Sequence, residues 1–107
     1  KLPIASGKDQ TENNDFLILN EILISVNVYP NPVSDRAFVN ITTNEKANAM
    51  VELYNINGQK VATIFDGELN TTNQFEFSTE NLSNGLYFVK TTSNTGFQDT
   101  YKIQILK

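Results

Sequence analysis

The stretch that decides the fold is Leu53-Tyr54-Asn55-Ile56-Asn57-Gly58-Gln59-Lys60-Val61. Apolar residues alternate with polar ones on the way into it, and a second apolar run leads out of it. Asn57-Gly58 predicts a two-residue hairpin loop, because such a loop needs positive φ at both central positions, which Asn tolerates and Gly adopts freely. The sequence therefore predicts a central β-hairpin against which the other strands are laid.

Short runs of β-branched and aromatic residues continue on both sides of this hairpin, separated by Asn, Gly, Ser and Asp. Their spacing of roughly 8 to 15 residues predicts about seven strands, which is typical of a small antiparallel β-sandwich. The sequence is therefore interpreted as all-β. The predicted strand segments are 25–29, 37–42, 50–54, 61–65, 74–78, 86–91 and 97–106.

Alternation along these strands predicts which side chains form the core, because successive side chains of a strand point to opposite faces. Ala37, Val39 and Ile41 share one face of the second strand, so Val39 and Ile41 are core candidates. Phe75 and Phe77 are expected to point inward together. In the last strand Tyr101, Ile103 and Ile105 lie on one face, opposite Lys102 and Gln104.

The beginning of the chain is interpreted as a linker from an upstream cargo domain, covering residues 1–25, with the β-sandwich domain at 26–107. Most of the linker is polar and without periodicity. The segment Phe16–Ile24 is apolar, and it is too short for periodicity to distinguish a short strand from a single helical turn.

Composition excludes several classes of function. The net charge of −4 and the pI near 4.6 argue against nucleic acid as a partner, since phosphate binders carry a basic face. The chain has no Cys and no His, so the commonest metal ligands and general base are missing. No cofactor and no metal site are predicted. No apolar run approaches the roughly 20 residues of a membrane-spanning helix.

No arrangement of residues predicts catalysis or a small-molecule substrate. The carboxylates Glu52, Glu76 and Asp99 are expected on the solvated face, opposite the apolar positions. Hydroxyl groups are abundant, but no local base is predicted to activate one. The four tyrosines are interpreted as half-buried strand residues, with a sugar-stacking platform as the alternative. The residues alone indicate a binding or structural module.

Three motifs in a fixed order carry a resemblance to a known family. They are Val28-Tyr29-Pro30-Asn31-Pro32-Val33, the hairpin stretch Leu53–Val61, and Leu82-Ser83-Asn84-Gly85-Leu86-Tyr87-Phe88-Val89-Lys90, followed by a β tail that ends at Lys107. In this order they resemble the type A C-terminal sorting domain of proteins secreted by the type IX system of Bacteroidetes. The resemblance covers residues 26–107.

The resemblance implies an immunoglobulin-like sandwich at the end of a larger exported protein. It also implies partners, namely the type IX outer-membrane translocon and a sortase-like surface peptidase that removes the domain. Export would then run through the periplasm to the cell surface or the extracellular medium. The peptidase is expected to cut in the linker, near Ala5, Ser6 and Gly7. The recognition residues that the resemblance implies are Tyr29, Pro30, Asn31, Pro32, Gly58, Gly85, Tyr87, Lys90, Lys102, Ile103, Gln104, Ile105, Leu106 and Lys107.

A terminal strand with unpaired main-chain groups can be captured by strand addition, so the last strand and its carboxylate are expected to be accessible to the secretion machinery. The same property makes an edge-strand dimer a further expectation. The alternative function is a non-catalytic accessory module of a secreted enzyme or adhesin, binding glycan or protein through loops at one end of the sandwich.

Overall fold

The computed structural model describes residues 23–107, and these form seven β-strands. The prediction of an all-β chain with about seven strands is confirmed. Residues 23–107 include no helix long and apolar enough to cross a membrane. The strands are β1 (Ile24–Tyr29), β2 (Arg36–Thr43), β3 (Asn48–Asn55), β4 (Lys60–Glu68), β5 (Thr72–Ser78), β6 (Gly85–Ser93) and β7 (Gln98–Ile105).

The strands form two antiparallel sheets that pack face to face as a β-sandwich. One sheet has the order β1-β2-β5 and the other has the order β4-β3-β6-β7. Within the predicted central hairpin, β3 lies between β4 and β6, whereas β4 lies at an edge of its sheet. β6 is a central strand, with β3 on one side and β7 on the other. β7 lies at the other edge of the four-stranded sheet.

The core lies between the sheets and is built from the inward side of each alternating strand. Val39 and Ile41 are both fully buried, as predicted, and Ala37 lies beside them. Phe75 and Phe77 pack against the core while remaining half-buried. The Phe75 ring stacks on Phe65 of β4, with 4.1 Å between ring centroids. The Phe65–Phe75 pair links β4 and β5 along one side of the sandwich.

The β3–β4 loop differs from the predicted two-residue turn. Its three residues are Ile56, Asn57 and Gly58. Asn55 and Gln59 close the loop, and the N–H of Asn55 donates to the main-chain oxygen of Gln59 at 2.9 Å. Gly58 N–H donates to Asn55 O, and Gly58 has φ of 81°. This is the type I turn followed by a left-handed glycine. Asn55 favours it because its Oδ1 accepts the N–H groups of Asn57 and Gln59.

One carboxylate lies on the opposite face from the one predicted. Asp99 shares its face of β7 with Ile103 and Ile105, because residues two apart in a strand point the same way, and its Oδ2 atom is buried. Glu52 is on the outer face as expected, but its side chain is only 13% exposed because Tyr54 and Lys60 contact it. The prediction of a solvated position for Asp99 is therefore wrong.

The first strand begins at Ile24, inside the apolar segment that was assigned to the linker. Residues 16–22 of that segment and the expected cleavage region at Ala5, Ser6 and Gly7 lie outside the described residues. The division into a linker at 1–25 and a sorting domain at 26–107 stays a prediction.

Candidate recognition surfaces

Two motifs from opposite ends of the described chain meet at the outer edge of β7. After β1 the chain crosses to the other sheet, where Val33 forms a parallel bridge with Ile105. Val33 N–H donates to Gln104 O, and Leu106 N–H donates to Val33 O, both at 2.8 Å. We call this contact between Asn31–Val33 and Lys102–Leu106 the clasp. The Tyr29–Pro30 and Asn31–Pro32 peptide bonds are both cis.

Asn31 completes the clasp with its side chain. Its Nδ2 donates to Lys102 O at 3.2 Å, and its Oδ1 accepts from the N–H of Gln104 at 3.0 Å. An amide side chain fits this position because it offers one donor and one acceptor, as a neighbouring strand would. Val33 and Ile105 are fully buried at the same place, so the clasp is anchored in the core.

The last two residues extend beyond β7 and remain accessible. The Leu106 side chain is 53% exposed. Lys107 N–H donates to Asn84 Oδ1 at 3.1 Å, which ties the tail to the loop before β6. Residues 82–90 were predicted as a motif, but the role of the Asn84 side chain could not be inferred, because nothing in the local sequence indicates a bond between positions 23 residues apart.

Tyr87 has a structural environment at the start of β6. It is 6% exposed, and its hydroxyl donates to Ser83 O at 2.8 Å. This is the geometry of a tyrosine corner, in which a hydroxyl bonds the backbone a few residues upstream. Gly85, two residues earlier, has φ of 147°, which a side chain would strain. Both residues therefore shape the loop that carries Asn84.

Several of the predicted recognition elements gather at one end of the sandwich. The loop at Asn55–Asn57, beside Gly58, and the loop at Ser83–Gly85 line a shared depression of about 270 Å³. The tail at Lys107 is bonded to the second of these loops, and the clasp adjoins the tail. Gly58, Gly85, Lys107 and the clasp thus lie at the same end of the sandwich, although they are far apart in the sequence.

Lys90 lies elsewhere, on the outer face of the four-stranded sheet. Its Nζ is 5.8 Å from the centroid of the Tyr54 ring, within the range of a cation–π contact. The Tyr54 hydroxyl donates to Glu52 Oε1 at 3.0 Å, and Glu52 Oε2 is 3.4 Å from Lys60 Nζ. We call these four residues the outer-face cluster. The hydrogen bond to Glu52, together with partial burial and the carboxylate charge, raises the pKa of Tyr54.

The remaining predicted residues have separate positions. Tyr29 is half-buried on the three-stranded sheet, 5.7 Å from Phe38 between ring centroids, and its hydroxyl accepts from Gln74 Nε2. Lys102 places its main-chain oxygen in the clasp and its exposed side chain on the outer face. Among residues 23–107 no group of three or more acidic, His or Cys side chains could hold a metal ion. The roles of all these residues in recognition stay predictions.

The arrangement defines a class of protein: a small immunoglobulin-like β-sandwich of three plus four strands, with its last strand clasped by the segment after the first. Residues 27–106 match the family model described as the secretion system C-terminal sorting domain. The chain therefore belongs to this family. The resemblance to type IX sorting domains is confirmed, and membership implies export to the cell surface or extracellular medium.

A solved structure has the same fold. The crystal structure of dimeric latent PorU from Porphyromonas gingivalis matches with a TM-score of 0.64 and 20% sequence identity. The match covers 80% of this chain and 9% of the PorU chain, so this chain spans a small part of that protein's length. A search of curated proteins found no match.

Proposed function

We propose that this chain is the sorting signal of an exported cargo protein, that it directs the cargo through the type IX outer-membrane translocon, and that a sortase-like surface peptidase then removes it. The observation that carries the proposal is the family match over residues 27–106. The chain acts by being recognised and supplies no catalytic step of its own. Its domain runs from residue 26 to 107, and the linker before it holds the cut near Ala5, Ser6 and Gly7.

The machinery is proposed to contact the end of the sandwich that carries the exposed tail. Leu106 and Lys107 protrude there, and they are held beside the two loops by Asn84. Lys90 and Lys102 add two exposed cations on the outer face. The buried members of the predicted set, above all Tyr87 and Ile105, support this surface by fixing the loop and the clasp. Recognition thus depends on a folded surface together with a linear tail.

The test is an export assay in a bacterium with a type IX system. The full chain is fused behind a reporter that reaches the periplasm, and the reporter is measured in the periplasm, on the surface and in the medium. Deleting Gln104–Lys107 would also remove core residue Ile105. A sharper variant therefore keeps the main chain of the tail and combines Leu106→Ala with Lys107→Ala, and a second variant combines Lys90→Ala with Lys102→Ala.

We expect both variants to leave most of the reporter in the periplasm while retaining the wild-type thermal unfolding midpoint. Lys46→Ala is the matched control, because the Lys46 side chain is 89% exposed in a loop that is not proposed to be recognised. Normal export of both variants would remove these residues from the recognition surface. Export failure of the wild-type fusion would refute the sorting function itself.

Mass spectrometry of the surface-attached reporter tests the peptidase step. Residues from 26 onward should be absent from the mature protein, with a new terminus in the linker. If these residues remain attached, the accessory-module function is the better account.

A further inference from the structure

The outer face of the three-stranded sheet carries uncharged side chains that are in register across its strands. Asn27 of β1 is opposite Asn40 of β2, which is opposite Gln74 of β5. Tyr29, two residues further along β1, is on the same face and opposite Phe38. We call the set of Asn27, Tyr29, Phe38, Asn40 and Gln74 the amide face.

Charge distinguishes the amide face from the outer face of the four-stranded sheet, which carries the outer-face cluster and Lys102. Among the described residues on the outer side of β1, β2 and β5, the only charged side chains are Arg36 and Glu76, and these two bond to each other. The amide face therefore offers no unpaired charge to an ionic ligand. An uncharged polar ligand is complementary to it.

Two amides of this face are each held by one atom and keep the other atom free. The Tyr101 hydroxyl donates to Asn27 Oδ1 at 3.2 Å, and Gln74 Nε2 donates to the Tyr29 hydroxyl at 2.8 Å. Both amide side chains are exposed. Asn27 Nδ2 and Gln74 Oε1 have no partner among residues 23–107. The face thus presents a fixed donor and a fixed acceptor to a ligand.

The Tyr29 side chain lies along the sheet instead of pointing away from it. Its hydroxyl reaches Gln74 of β5, so the hydrogen bond joins the two edge strands across β2. Asn40 lies next to this bridge, and its Oδ1 atom is buried. The Phe38 ring is 5.7 Å from the Tyr29 ring between centroids. A half-buried aromatic surface therefore adjoins the row of amides.

We propose that the amide face is a binding site for a neutral oligosaccharide. Its amides bond sugar hydroxyls, which both donate and accept, and the Tyr29 ring packs on the apolar face of one sugar unit. Asn27 and Gln74 lie on the two edge strands, two strand spacings or about 10 Å apart. A ligand that bonds both residues therefore crosses the strands and contains at least two sugar units.

A protein partner fits this face less well. Interfaces between proteins have an apolar core and a polar rim. On the amide face the row of amides crosses the middle of the sheet, and the aromatic pair lies to one side of it. Gln74 is not among the residues proposed to be recognised by the secretion machinery. Sugar binding and export can therefore be tested separately.

NMR titration of the full 107-residue chain tests the proposal. The probes are the uncharged sugars maltotetraose, cellotetraose, mannotetraose and chitotetraose, with the corresponding monosaccharides and an anionic heparin tetrasaccharide for comparison. At least one neutral tetrasaccharide should shift the amide signals of residues 27, 40 and 74. It should bind at least about tenfold more tightly than its monosaccharide and than the heparin probe.

Variants of the face should weaken this binding. Gln74→Ala removes the free acceptor and the bond that holds Tyr29, and should raise the dissociation constant about fivefold. Tyr29→Leu removes the ring and should have an effect of about the same size. Thr100→Ala is the matched control, because Thr100 is exposed on the outer face of the other sheet, and should change binding by less than about twofold.

The absence of shifts with every neutral tetrasaccharide at about 10 mM would overturn the proposal. Binding that is unchanged in both face variants, or that occurs with the heparin probe alone, would also overturn it. Shifts at residues 27, 40 and 74 that follow protein concentration without sugar would identify a second copy as the occupant and refute the sugar site. Gln74→Ala should be exported like the wild type, so loss of sugar binding is distinguishable from loss of sorting.

Discussion

The clasp and the outer-face cluster both contain residues predicted to be recognised, but they are held together in different ways. The clasp joins main-chain groups of β7 to Asn31 and Val33, and buried Ile105 anchors it. The outer-face cluster is a set of side chains, in which Lys90 contacts Tyr54 on an exposed sheet face. Substitutions in the clasp therefore act on the fold, whereas substitutions in the cluster act on the surface and leave the fold intact.

The largest expected effect separates two neighbours at the clasp. Ile105→Ala should lower the free energy of unfolding by about 3 kcal/mol, because Ile105 is fully buried and the truncation leaves a cavity. Leu106→Ala is the control, since its side chain is 53% exposed, and should change stability by less than about 0.5 kcal/mol. Urea unfolding measures both. Equal effects at the two positions would show that the clasp is not anchored in the core.

A smaller effect is expected from the polar part of the clasp. Asn31→Ala removes the bonds to Lys102 O and Gln104 N–H, each worth about 0.5 to 1.5 kcal/mol in general and less where water can replace it. We expect a loss of about 1 kcal/mol in the free energy of unfolding.

The control for this prediction is Gln98→Ala, at the exposed first position of the same strand, which should cost less than about 0.5 kcal/mol in the free energy of unfolding. Amide exchange of Gln104 should accelerate in Asn31→Ala and not in Gln98→Ala. An unchanged Gln104 amide would mean that Asn31 does not hold this edge.

Much of the sandwich could be predicted from the sequence because a strand repeats every two residues. That period identified Val39 and Ile41 as core residues and placed Ile103 and Ile105 on one face of the last strand, and all four are buried. The same period, applied consistently, would have placed Asp99 with Ile103 and Ile105. The error came from assuming that a carboxylate occupies a polar face.

The clasp could not be predicted from spacing, because its hydrogen bonds join residues about seventy positions apart. The Tyr29–Pro32 motif supported the family resemblance, but nothing in it indicated a bond to the last strand. The length of the β3–β4 loop was also predicted wrongly, because it too depends on a side chain that bonds to the main chain. Asn57-Gly58 alone favours a two-residue turn, and the side chain of Asn55 converts it to three residues by accepting two amides. Side-chain bonds to the main chain decided both features.

The smallest expected effect belongs to the outer-face cluster and concerns protonation. The hydrogen bond to Glu52 raises the pKa of Tyr54 above the ordinary value of 10.0, because ionising the phenol would remove the donor and place two negative charges together. A raised pKa favours the neutral phenol in the folded chain. Its contribution to stability is therefore complete below pH 10 and is lost as the pH rises through the folded-state pKa.

Glu52→Gln should bring the pKa of Tyr54 part of the way back toward 10.0, since the carboxylate charge is gone while an amide oxygen can still accept the hydrogen bond of the phenol. Phenolate absorbance during an alkaline titration measures this, with Tyr54→Phe identifying the part of the signal that comes from Tyr54. Glu52→Gln should not affect the clasp, so the amide exchange rate of Gln104 at neutral pH should match that of the wild type. If Glu52→Gln also accelerated Gln104, the two surfaces would be coupled through β6, and the division between fold and surface effects would fail.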